Sequence, residues 1–433
     1  MSRVPAALAA LILGAAPLAA RAQPAATPSV TPPGAPDGAV STAPRAPAPP
    51  PPASAAPLQP VEVTELAAPD AFSTAVRDTG LPPTLWRGTS LQVVRAVLPL
   101  LADRPLSPAA AALARRVLAT GAPGPEGAGQ DPALVAGRAG ALMAQGDPRG
   151  AAAVLARAPG LDRDPDLARV AAESALLAGQ DDRACRIEAA LTAGRDDIYW
   201  VRLRTYCQAV AGQTAAAQLT FDLAQSQAKD AAFARLMGAK LAGGGSPGAP
   251  SLRNGLDYAL SRNLGLDLSQ AKPSPAVAAA LASGNPAEPA IDVSGLPAYL
   301  LPFAEAIANG KPIRPDDALA ALKASTGKDP KTRERDEAAL VLLAAYETWP
   351  GLALGALPVR EGRAPVMRDI ALDAAGLRKR MGETAMLALW TCAEAGPAGP
   401  APADRARIVR ALREAGFERD ARAFTLEGLV GLR

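Results

Sequence analysis

One pattern constrains this chain more than any other: a glycine followed five residues later by alanine, three times at a constant interval. Gly146 leads to Ala151, Gly179 to Ala184 and Gly212 to Ala217, so the interval is 33 residues each time. Around each glycine lie two segments whose apolar residues recur at helical spacing, each about as long as one arm of a helical hairpin. One hairpin cannot bury its apolar face alone. The pattern therefore predicts stacked two-helix repeats in an all-α chain rather than a closed catalytic domain.

Composition points the same way. Apolar residues make up 49% of the 433 but aromatic residues only 3%, and alanine supplies much of the apolar count. Alanine favours helix and lets helices approach closely, whereas a β-rich chain needs Val, Ile, Tyr and Phe. A serine or aspartate followed by proline, the pairing that caps a helix and opens its first turn, recurs at Ser107-Pro108, Asp131-Pro132, Asp147-Pro148, Asp164-Pro165, Ser274-Pro275 and Asp329-Pro330. With turns at Gly121, Gly146, Gly160, Gly179, Gly194 and Gly212, these starts predict helices of roughly 12–15 residues.

The residues around the three glycines resemble the tetratricopeptide repeat family. Ala141-Leu142-Met143-Ala144-Gln145-Gly146-Asp147 followed by Ala151 matches that family's first-helix end, tight turn and second-helix alanine. The residue seven before each glycine is small, as helix crossing in that family requires: Ala139, Ala172 and Thr205. Glu188 departs from the pattern, standing where an apolar side chain belongs, and the closing proline is missing. Gly416 to Ala421 repeats the spacing near the C-terminus. The resemblance implies a right-handed α-solenoid of helical hairpins with a concave groove, and a non-catalytic protein-binding scaffold that holds a peptide or helix there. Arg138, Arg202 and Arg204 are the first-helix positions expected to be exposed to such a partner.

The ends and breaks of the chain divide it. Residues 1–22 read as a secretory signal, with Arg3, an apolar run from Val4 to Leu18, and the small-x-small end Ala20-Arg21-Ala22. An uncleaved anchor is the alternative; Pro17 and the shortness of the run argue against a stable span. Residues 23–60 are nearly all Pro, Ala, Ser, Thr and Gly and read as a disordered linker. A first helical array is expected over 61–242, a loop-rich connection with short helices over 243–298, and a second array over 299–433. Trp86 is expected to cap the open end of the first array. Ala338 to Val359 is almost uncharged, but Trp349-Pro350-Gly351 cuts it, so two buried helices are expected there and no membrane span after signal removal.

An exported chain works in an oxidising compartment, here taken as a bacterial periplasm. Cys185 and Cys207 flank a turn centred on Asp196, which sets them at equal height on two antiparallel helices. A disulfide is the natural reading, and two buried thiols the alternative. Closing that loop contributes about 3 kcal/mol in the chain-entropy model. Cys392 is left over, either buried or open to an intermolecular bond.

Several chemistries are excluded or weak. The chain has no histidine, which removes Ser-His-Asp and Cys-His hydrolases and histidine metal sites. Gly244-Gly245-Ser246-Pro247-Gly248 matches a nucleophile-elbow pattern but no strand precedes it. Asp162, Asp164, Asp166 and Glu173 fall at calcium-loop spacing, yet Leu167 replaces the required glycine. The net charge of +3 is small and dispersed, so no nucleic-acid partner is expected. No catalytic residue, metal or cofactor is expected either; the partner is an envelope protein or peptide. The enzymatic alternative is a wall-degrading enzyme of the lytic-transglycosylase kind, or its regulator, running on carboxylates alone.

Overall fold

The computed structural model describes residues 70–432 except 157, 283–290, 326–328 and 350–361. The expected signal and linker, and the second half of the Ala338 to Val359 stretch, lie outside these residues. Residues Leu66–Arg433 form one compact unit, and among its described residues the regular structure is α-helix with a single short 3-10 turn.

The first half is α1 (Leu91–Asp103), α2 (Pro108–Ala119), α3 (Pro132–Ala144), α4 (Pro148–Leu155), α5 (Pro165–Leu177), α6 (Asp181–Ala190), α7 (Ile198–Val210), α8 (Thr214–Gln227) and α9 (Ala231–Leu241). Consecutive helices pair across short turns, α3 with α4, α5 with α6 and α7 with α8, and each pair packs on the next. All six Ser-Pro and Asp-Pro sites begin helices. In five of them the side chain also accepts a hydrogen bond from a backbone N–H of the first turn; Ser107 does not.

The repeated glycines do one local job. Gly146, Gly179 and Gly212 take φ of +85°, +74° and +75°. The residue after each sends its N–H back to a carbonyl five residues earlier: Asp147 to Leu142, Gln180 to Ala175 and Gln213 to Gln208, each at 2.8 Å. This is the left-handed C-cap that ends a helix and reverses the chain. The alanines five residues after the glycines are fully buried, so the second helix can lie close on the first.

The second half holds α10 (Gly255–Asn263), α11 (Pro275–Leu281), α12 (Leu301–Ala308), α13 (Pro315–Ser325), α14 (Pro330–Glu347), α15 (Val366–Leu377), α16 (Met381–Ala395), α17 (Pro402–Ala415) and α18 (Glu418–Val430). Its last two hairpins use the same device. Gly416 has φ +94° and Phe417 donates to Leu412 at 2.8 Å, while Lys379 has φ +52° and Arg380 donates to Ala375 at 3.0 Å. Thr384 fills the buried small position that alanine fills elsewhere.

The order of packing is not the order of sequence. Helix α16 packs against α1 and α2, and α18 against α2. From there the contacts run through α17 to α14 and α15 in one direction and through α3, α5, α6 and α7 in the other. The N-terminal helices therefore lie in the middle. Trp86 does not cap an open end, as the sequence suggested, but is buried against Phe72 and beside α16, where the N–H of Gly382 donates to Leu85 O at 2.9 Å. A Cβ at Gly382 would meet Thr89 Oγ1 at 2.4 Å and Leu85 O at 2.8 Å, so this approach requires glycine. Helices α10 and α11 turn back onto the first hairpins, α10 on α5 and α11 on α3, α4 and α5.

Lys379 is the test of the cap. A side chain at left-handed φ costs about 1–2 kcal/mol, which glycine avoids. Lys379→Gly is expected to raise the urea midpoint by the equivalent of about 1 kcal/mol. Gly179→Ala is expected to lower it by at least as much, since its Cβ would also stand 3.0 Å from Arg262 Nη1. An unchanged or lower midpoint for Lys379→Gly contradicts the shared cap.

Candidate functional site

The three arginines expected to face a partner are structural. Arg138 is not exposed: it is fully buried on α3 beneath the loop that precedes α1. Its Nε donates to Leu118 O at 2.8 Å, Nη1 to Ala71 O at 3.0 Å, and Nη2 to Thr74 O at 2.7 Å and Thr120 O at 3.2 Å. Leu118 and Thr120 lie at the C-terminal end of α2, where free carbonyls and the helix dipole favour a cation. Burial lowers its pKa to about 10, against the pull of Asp70, so it remains charged at neutral pH. The sequence places Arg138 at an outward position of an isolated hairpin; the loop at Ala71 and Thr74, distant in sequence, covers it.

Arg202 and Arg204 are half-buried and also engaged. Arg202 donates to Ala228 O at 2.9 Å, pairs with Asp230 at 3.4 Å and lies over the Phe233 ring, which ties α7 to the start of α9. Arg204 pairs with Glu188 at 2.8 Å, and Arg195 pairs with the same carboxylate at 3.1 Å. Glu188, the departure from the repeat pattern, is thus buried between two guanidinium groups. A buried carboxylate is tolerated when charge and hydrogen bonds are both satisfied.

A polar cluster lies where α5, α7, α9 and α10 meet. Arg253 reaches Asp257 at 2.5 Å and Asp230 at 3.0 Å, and Ser251 Oγ donates to Asp257 at 2.6 Å. Charge partners and hydrogen bonds hold the Arg253 pKa above its ordinary value. Glu173 accepts from the Gly255 N–H at 2.6 Å. Its other oxygen faces the Tyr199 hydroxyl without reaching full hydrogen-bond geometry. Burial raises the Glu173 carboxyl above the usual carboxylate range, opposed by the Gly255 N–H, Tyr199 and Arg169. Beside these groups is a small cavity of about 140 Å³ lined by Arg169, Tyr199, Arg202, Asp230, Asn254 and Asp257, among others. Its carboxylates at Asp230 and Asp257 are already held by arginine, so the cluster reads as an internal strut.

The cysteines follow the expected pairing. Cys185 and Cys207 form a disulfide between α6 and α7 with a Cα separation of 5.5 Å. Cys392 is a buried thiol on α16, and burial pushes its pKa up to about 12. It is therefore inert toward thiol reagents at neutral pH. Among the described residues no group of three or more His, Cys, Asp or Glu is placed to hold a metal ion, and no helix is long and apolar enough to cross a membrane.

Among the described residues the largest group of exposed apolar side chains on one helix is a stripe on α15. Val366, Met367, Ile370 and Leu377 are 71%, 76%, 55% and 68% exposed. With Ala374 they fall three or four residues apart along one face. Four such side chains on a helix of 12 residues is unusual for a surface that meets only water. The opposite face is ordinary core: Leu372, Ala375 and Gly376 are buried, and a Cβ at Gly376 would stand 3.0 Å from the backbone of Ala411 on α17. Sequence reasoning placed this stretch in the second array but did not mark its hairpin, because Lys379 and Thr384 replace the Gly and Ala that mark the other hairpins. Comparison with protein-family models, curated proteins and solved structures found no match for this chain.

Two outcomes are expected here. Arg138→Met strands four carbonyls in the interior and should lower stability by about 3 kcal/mol or more, with Arg138→Lys recovering only part; a variant as stable as the parent contradicts the strut. For Glu173 the folded pKa is raised, so its contribution is present at low pH and lost as pH rises through the folded pKa. Glu173→Gln should therefore gain relative to the parent as pH is raised from below the ordinary glutamate range to above it, in urea titrations at a series of pH values. A gap between the two proteins that does not change with pH contradicts the assignment.

Proposed function

We propose that this chain is an exported, non-catalytic scaffold of tetratricopeptide-like hairpins that holds a protein partner on the exposed face of α15. The observation that carries this reading is the stripe of Val366, Met367, Ile370 and Leu377. A contiguous apolar face of this kind is disfavoured in water and gains from being covered. The first helices α3 and α5 are the less suitable surface, because α10 and α11 already pack on them. The three arginines point the same way, since Arg138, Arg202 and Arg204 spend hydrogen bonds inside the chain.

The N-terminal signal pattern and the Cys185–Cys207 disulfide support a periplasmic location, where an oxidising environment keeps such a bond formed. In this role the fold supplies a rigid frame, and α15 supplies the contact.

The test is in-cell crosslinking of tagged protein, comparing the parent with a Met367→Asp/Ile370→Asp variant. Both positions are exposed, so folding should change by no more than about 0.5 kcal/mol per site. The expected result is an envelope protein captured in near-stoichiometric amount by the parent and lost from the variant. Equal capture by both, with the fold intact, contradicts the placement on α15.

A further inference from the structure

We infer that the occupant of α15 is an amphipathic helix with acidic flanks, contributed by the partner protein. This deepens the scaffold reading above and rests on it. The argument is one of charge beside an apolar stripe. Around the stripe the carboxylates are already held: Asp369 and Asp373 by Arg407, each at 3.4 Å, and Glu394 by Arg368 at 2.7 Å. Asp404 accepts the Arg363 N–H at 2.7 Å and Glu383 accepts the Ser90 N–H at 2.7 Å.

The cations are not held. Arg363 precedes the helix, and Arg378, Lys379 and Arg380 follow its last turn; all four are exposed. No carboxylate among the described residues pairs with their side chains. The stripe thus runs between an unpaired cation at one end and three at the other.

A second copy of this chain would set the same cations near one another in an antiparallel pairing of α15 with α15. Like charges opposed in that way are repelled. A segment with acids at both ends is attracted instead. The length also fits a helix: at 12 residues α15 is about 18 Å long, enough for three to four turns of a helix laid along it.

The chain's own chemistry provides the probe. Cys185 and Cys207 are bonded and Cys392 is buried, so a Met367→Cys variant carries one reactive thiol, at the N-terminal end of the stripe. The rate of its labelling by a neutral maleimide reports what covers α15. The ligand is a synthetic peptide of about 18 residues, with leucine at helical spacing on one face and glutamate at both ends; a control peptide carries lysine in place of glutamate. Fast labelling is expected for the protein alone. The glutamate peptide should slow it in a concentration-dependent way, with affinity at least about tenfold above the lysine peptide and weakening as salt rises.

Equal protection by both peptides, or none by the glutamate peptide, overturns the inference. So does protection by anionic phospholipid vesicles in place of the peptide, which would make the face a membrane contact. Slow labelling of the protein alone also overturns it, pointing to a second copy if the rate depends on protein concentration and to the chain itself if it does not. If the peptide fails while Met367→Asp/Ile370→Asp still loses the cellular partner, the scaffold reading stands and only the partner's chemistry is wrong.

Discussion

Two glutamates from the C-terminal hairpins cap the first two helices of the fold. Glu383 accepts the N–H of Ser90, the residue that opens α1, and Glu427 accepts the N–H of Ala109 in the first turn of α2, both at 2.7 Å. The first turn of a helix has backbone donors with no intrahelical partner, and it carries the positive end of the dipole. A carboxylate there answers both. Ser90 also caps α1 through its own side chain, but Ser107 makes no side-chain cap for α2, so Glu427 supplies what the local sequence leaves open. Arg405 holds Glu427 in place at 2.6 Å.

These bonds are half-buried and lie in the same contact as a charged pair. Arg116 of α2 pairs with Asp420 of α18, and burial raises the Asp420 carboxyl above its usual range despite that partner. The pair therefore fixes register more than it adds stability. Apolar packing of α16 and α18 on α1 and α2 supplies the larger share. Because the last hairpins join the first, the connecting segment must travel back, and α10 and α11 lie on α3, α4 and α5. Glu173 and Arg253 belong to that return: Glu173 receives the start of α10 through Gly255, and Arg253 bridges Asp230 and Asp257.

What the sequence made legible was local. The Asp-Pro starts and the glycine turns of α3–α8 depend on residues within one hairpin, and the pairing of Cys185 with Cys207 on the turn to the next, so each leaves a local trace in the sequence. Lys379 and Thr384 do the work of glycine and alanine in the α15–α16 hairpin, which hid it. Arg138 was misplaced for the opposite reason: its own helix gives no sign that Ala71 and Thr74 will lie across it. Trp86 was read as a cap because nothing in its neighbourhood announces α16, almost three hundred residues later. The α15 stripe was not singled out in sequence, and only the packing order shows which apolar positions were left outside.

The central claim is that the first and last helices form one cooperative contact. Native-state hydrogen exchange along the intact chain tests it directly. The account predicts that the slowest amides of α1, α2, α16 and α18 share one opening free energy and one denaturant dependence, because none of these helices keeps its buried face without the others. Exchange of α15–α18 at a distinctly lower free energy, while α1 and α2 stay protected with α3, would contradict it.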